Sequence, residues 1–149
     1  MFGSNQDKSS STYGLIISSA SQNDSILEPS YPHPVKIILP DGVEFDLGLG
    51  TVEDGTWSPK GAEWLEGTEL PRWVALPWSR GLEEDVKGFN VSDVIQLFMS
   101  NSDIIFYRFQ SIQEVAQTEI SSFHPNSTDL LIVLSRKGNQ SLIVIVSVP

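Results

Sequence analysis

The two longest apolar runs in this sequence, at 130–134 and 142–146, are each five residues long and lie close together. Both consist of Leu, Ile and Val with no polar alternation. Runs so short, apolar on both sides of the chain and bounded by polar turns, read as strands buried on two faces. Such strands belong at the centre of a sheet rather than at its edge. A membrane-spanning helix needs roughly 20 apolar residues, so no stretch here reads as one. The opening Met1-Phe2-Gly3-Ser4-Asn5 lacks the basic and then apolar blocks of a signal peptide. Any export signal or anchor is therefore expected to have been removed or never to have existed.

The remaining pattern is also that of short strands. Residues 1–32 are dominated by serine and hold few large apolar side chains, which reads as a flexible tail or linker. The expected domain spans 33–149. Residues 35–39 form a strand, Pro40-Asp41-Gly42 a turn, and 43–47 an alternating strand, together a β-hairpin. Gly48 and Gly50 break the chain, and 56–72, with Trp57, Trp64 and several glycines and prolines, reads as a long loop pinned by tryptophans. A strand at 73–76 is closed by Pro77. Leu82, Val86 and Phe89 fall at helical spacing between Gly81 and Gly88, which predicts one helix of about two turns. Strands follow at 94–99 and 104–115, the second with a bulge near Gln110 or Ser111, where its alternation slips. The class implied is all-β, a barrel or sandwich of about seven strands with one short helix.

Composition narrows the function classes. The chain has no cysteine, so disulfides, thiolate metal sites and cysteine nucleophiles are excluded, and the lack leans towards an extracytoplasmic home. The formal net charge is −10, and eleven of the nineteen acidic residues lie between Asp41 and Asp85. This charge repels phosphate backbones and anionic lipid, so no nucleic-acid partner is expected.

Few residues offer chemistry. There is no glycine-rich phosphate loop, and neither histidine has a partner at metal-ligand spacing; no metal and no cofactor are expected. The acids at 41, 44, 46, 53 and 54 favour calcium by ligand type but not by spacing. His124 sits in a polar loop with Ser121, Ser122 and Asp129, yet no nucleophile motif accompanies it. Glu83-Glu84-Asp85 reads as the solvent face of the short helix. The four tryptophans, Trp57, Trp64, Trp73 and Trp78, serve either to pack an irregular loop or to line a ligand groove.

The order of elements in the second half resembles a known family. Asn90-Val91-Ser92-Asp93-Val94-Ile95-Gln96-Leu97 is similar to the x-x-Gly-Asp-x-Ile-x-Leu strand of sortases, with Ser92 in place of the glycine. Phe106-Tyr107-Arg108-Phe109 resembles the Tyr-x-Val strand that pairs with it. Leu131-Ile132-Val133-Leu134-Ser135 is similar to the strand that presents the sortase nucleophile, and 142–146 to the strand that ends the fold. The resemblance covers roughly 35–148 and implies a closed sortase-like β-barrel of about 7–8 strands.

It also implies a chemistry whose residues are missing. Matched position by position, the family's cysteine falls at Arg136, its histidine near Pro77-Trp78, and its arginine around Gln140 or Ser141. The expectation is a pseudoenzyme with no catalytic residues, sortase transpeptidation being excluded by the absence of cysteine. Its role would be binding or assembly on a bacterial cell surface, with an unidentified peptide, glycan or protein partner. The candidate vestigial cleft comprises Trp78, Arg136, Trp73 and Arg72, an aromatic wall and cations suited to a peptide carboxylate or a glycan. The competing expectation is a hydrolase on an unrelated β-barrel, using the His124 loop or the acidic 41–54 segment.

Overall fold

In the computed structural model the two apolar runs become β8 (Leu130–Ser135) and β9 (Ser141–Val148), antiparallel neighbours in the middle of one nine-stranded sheet. The structure describes residues 30–149 except 53–56, 58, 69–71, 117, 120–122, 124 and 136–140. The expected 1–32 tail lies almost wholly outside the described residues. The other strands are β1 (Pro34–Ile38), β2 (Glu44–Asp46), β3 (Gly48–Gly50), β4 (Glu63–Leu65), β5 (Arg72–Pro77), β6 (Val94–Met99) and β7 (Ile104–Ala116), with one helix, α1 (Arg80–Lys87). Their order is β2-β1-β6-β7-β9-β8-β5-β4-β3. Because β2 and β3 are consecutive in the chain, the two ends of the sheet meet at one corner and the sheet is a nearly closed barrel. The fold is all-β with one short helix.

Alternation sorts the side chains of the central strands. Leu130, Ile132 and Leu134 of β8, and Ile143 and Ile145 of β9, enter the main core with Ile37, Val74, Leu76, Ile95, Leu97, Tyr107 and Phe109. Leu131, Val133, Val144 and Val146 face the other way and form a second cluster, covered by Trp73, Val115, Phe123 and Leu142. Burial on both faces is why neither run alternates in sequence. The bulge expected near Gln110 lies between Phe109 and Ser111, where the β7–β9 register shifts. Before it, Ile105, Tyr107 and Phe109 point inward. After it, Ile112 takes the inward face and Val115 joins the outer cluster.

Two strands lie where the sequence reads as breaks and loop. β3 carries glycine at two of its three positions, and β4 is a three-residue piece of the expected 56–72 loop. They pair in parallel, Leu49 opposite Trp64. The pairing needs Gly50: a Cβ there would lie 2.7 Å from Glu63 Oε1 and 2.9 Å from Trp57 Nε1. Trp57 donates from Nε1 to Glu63 Oε1 across this spot, and Trp64 is buried and stacked on His33 with ring centroids 5.5 Å apart. Packing interactions of this kind, invisible to pattern reading, hold strands that propensity disfavours.

Candidate functional site

β5 and β8 run in parallel, with Pro77 opposite Ser135, so both strands end on the same rim of the barrel. From that rim the chain enters α1 through Trp78 and Ser79. Ser79 is extended (φ −143°, ψ 159°) and caps the helix, its Oγ accepting from the Leu82 amide at 3.0 Å. Leu82 and Val86 bury one face of α1 in the main core, and Phe89 packs beside them. The helix is thereby fixed against the end of β5.

Trp78 remains 38% exposed in this setting. Its Nε1 donates to Glu83 Oε1 at 2.6 Å, while Lys87 Nζ reaches Glu83 Oε2 at 2.7 Å. Both oxygens of one carboxylate thus hold the indole and the last-turn lysine. Glu83 is mostly covered, its side chain only 13% exposed, whereas Glu84 and Asp85 are exposed. The reading of 83–85 as a solvent face therefore fits two residues of the three. Trp78, Arg80, Glu83, Glu84 and Lys87 line an open depression of about 310 Å³. It offers an oriented aromatic face ringed by two cations and two carboxylates.

Arg72 and Trp73 do not share this rim. Arg72 begins β5, five residues before Pro77, about 17 Å away along an extended strand. It points to the barrel interior, where Nη1 donates to the Tyr107 hydroxyl at 2.7 Å. Trp73 faces the outer cluster and meets Phe123 edge to face at 6.4 Å. Arg136 follows β8 in the chain but lies outside the described residues, as do His124, Ser121, Ser122 and Gln140. Ser141 opens β9 and donates to Glu114 Oε2 at 2.8 Å.

The residues of the competing hydrolase reading have local structural roles where they are described. Asp129 is buried and closes a turn, its Oδ2 accepting from the Asn126 amide. Asp41 accepts from the Val43 amide in the hairpin turn, Glu44 pairs with Lys36 at 3.6 Å, and Asp46 is exposed. Residues 53 and 54 lie outside the described set. Among the described residues no three His, Asp or Glu side chains group as metal ligands, and no helix is long and apolar enough to cross a membrane.

The motifs that resemble sortases lie on or beside the adjoining strands β6, β7, β9 and β8. Ser92, where the motif has glycine, adopts φ +79°, a left-handed conformation that glycine enters without steric cost. Its amide donates to Phe109 O, Asp93 O accepts from the Phe109 amide, and Asp93 Oδ2 accepts from the Asn90 amide. Tyr107 of β7 lies opposite Ile95 of β6.

No protein-family model matches the sequence, and no curated protein matches it. Solved structures do. Sortase C-1 from Actinomyces oris matches with a TM-score of 0.54 and 18% identity, over 78% of this chain and 74% of that one. The sortase D5 transpeptidase of Clostridium perfringens matches with a TM-score of 0.56 and 15% identity, over 76% and 77%. A Clostridium perfringens sortase C solved with the C-terminal cell wall sorting signal motif gives 0.57 and 19%, over 76% of this chain and 64% of that one. At these identities the likeness establishes the fold, which is the sortase fold in a chain without cysteine. The expected sortase-like barrel is thus borne out, and the unrelated barrel of the competing expectation is not favoured. These matches also overturn the expectation that the chain is no enzyme: the solved structures that share its fold are sortases, one described as a transpeptidase, so the fold points to an enzyme family. The missing cysteine weighs only against a route through the chain's own thiolate.

Proposed function

We propose that this sortase-fold domain recognises an extended peptide segment at a bacterial cell surface, on the rim where β5 and β8 end beside α1. The observation that carries the reading is the Trp78 platform. An exposed indole whose Nε1 is held by Glu83 keeps its orientation before a ligand arrives, so stacking against it loses little side-chain freedom. Arg80, lining the same depression, suits a carboxylate on the ligand, whereas Lys87 is already paired with Glu83. Arg136, which follows β8 in sequence, adds a further cation to the proposal. A protein of the same fold has been solved with a sorting signal motif, and peptides of that class are the first to test. Any covalent step the domain performs on them does not use a thiolate of its own.

The test is titration of a synthetic sorting-signal peptide by calorimetry, against the parent chain and Trp78→Ala. The expected loss in the variant is about tenfold or more in affinity, as for other buried aromatic anchors. Equal affinity in parent and variant, or no heat at millimolar peptide, overturns the reading. Surface location is checked on intact cells with a membrane-impermeant amine label. Protection of the full-length protein from that label refutes it.

A further inference from the structure

The opposite end of the barrel carries a second group of polar side chains, unrelated to the Trp78 rim. Arg72, Leu130, Ser147 and Phe109 lie side by side on β5, β8, β9 and β7. Arg72 shares the inward face of β5 with Val74 and Leu76, and Ser147 that of β9 with Ile143 and Ile145. Tyr107 reaches the same end from β7 and is 1% exposed.

The group has donors without acceptors. Arg72 gives one N–H to the Tyr107 hydroxyl, and it makes no ion pair among the described residues. An arginine with a neutral partner keeps its full charge, with four further N–H donors unspent on that bond. The Tyr107 oxygen accepts from Arg72, which leaves its own proton to be donated, and no acceptor for it lies among the described residues. Ser147 is 0% exposed, and its Oγ has no hydrogen-bond partner among the described residues. Buried hydroxyls are rarely left so, because desolvation is not repaid. Asp129, which precedes Leu130, is turned to the Asn126 amide, although its backbone carbonyl accepts from the Arg72 amide.

We propose that this barrel end is a binding site for a small oxyanion, a carboxylate or phosphate, held by Arg72, Tyr107 and Ser147. An oxyanion supplies acceptor lone pairs for Ser147 and for the donors that the Arg72–Tyr107 bond leaves over, and planar guanidinium matches its geometry. The site lies at the far end of β5 from Trp78, so it stands or falls independently of the peptide-binding reading.

The experiment uses the full chain with sodium acetate and, separately, sodium phosphate, at ionic strength held constant with sodium chloride. The ¹⁵N-resolved guanidinium signal of Arg72 and the melting temperature are followed together. A saturable shift of the Arg72 signal with a parallel rise in melting temperature is expected. Ser147→Ala should weaken both responses, and Arg72→Lys the rise in melting temperature, about tenfold, which is the loss of one hydrogen bond to a charged group. Ser147→Ala removes only an unpartnered hydroxyl and so preserves the fold even if Arg72 variants do not. The acetate and phosphate arms separate a carboxylate site from a phosphate site. A response that is linear and non-saturating, or that survives unchanged in Ser147→Ala, means an adventitious ion only and overturns the proposal. So does the absence of any response.

Discussion

Like Ser102 at φ +75°, Ser92 carries a side chain that conflicts with its backbone. At φ +79° its Cβ crowds the following carbonyl, a cost of about 1–2 kcal/mol for an L-residue, partly offset by the entropy glycine would lose on folding. Ser92→Gly is therefore expected to raise stability by about 0.5–1 kcal/mol. Ser92→Val, β-branched and unable to hydrogen-bond locally, should lower it by about 1–2 kcal/mol. Urea unfolding midpoints check both, and a destabilised glycine variant would refute the strain. At this scale the sequence was informative only in part. The likeness to a glycine-bearing motif marks position 92, whereas Glu83 reads only as part of the helix's solvent face. The Trp78–Glu83 hydrogen bond spans a strand end, a cap and a helix turn, and no spacing rule predicts it. Arg72 is similarly opaque, because it reads as the end of the 56–72 loop, and no local pattern says that it opens β5 or that a tyrosine from β7 meets it.

Among the elements, legibility followed burial. β8 and β9 are read directly from their apolar runs, β6 and β7 from alternation, and the bulge from the point where alternation slips. Their cores are correspondingly sensitive. Ile132 is fully buried on the central strand β8, and Ile132→Ala should cost about 2–5 kcal/mol in denaturant unfolding. A cost below 1 kcal/mol would mean that the site collapses around the void. β3 and β4 escaped the sequence reading because three-residue strands with glycine carry no periodicity. What holds them is close approach. Gly50→Ala forces a Cβ into the Trp57–Glu63 hydrogen bond and to 3.2 Å from the Trp64 carbonyl. The expected loss is about 1–3 kcal/mol. Trp57→Phe in the same background should recover part of it by removing the crowded Nε1, and no recovery would place the strain on the backbone instead.

For the whole molecule, strand order is a matter of long-range pairing, which no local pattern encodes. Only the ordered motifs shared with a known fold suggested it, and the closure of the barrel through β2 and β3 was legible only in three dimensions. Charge, by contrast, is a global property that the sequence states outright. A net −10 on a chain of this size is self-repelling. The described ion pairs that oppose it, Lys36–Glu44 and Lys87–Glu83, are on or near the surface and contribute about 1 kcal/mol each at most. Added salt screens both effects, but the repulsion has many more pairs at distances beyond contact, where screening at a Debye length of about 8–10 Å is strongest. Melting temperature should therefore rise with sodium chloride between about 10 and 150 mM. If about 1 kcal/mol of repulsion is relieved, the rise is about 3 °C for a domain of this size. Since screening belongs to no single site, the rise should persist in Arg72→Met, whereas a bound anion's contribution should vanish there. A melting temperature that falls with salt would show that attractive pairs outweigh the acidic excess.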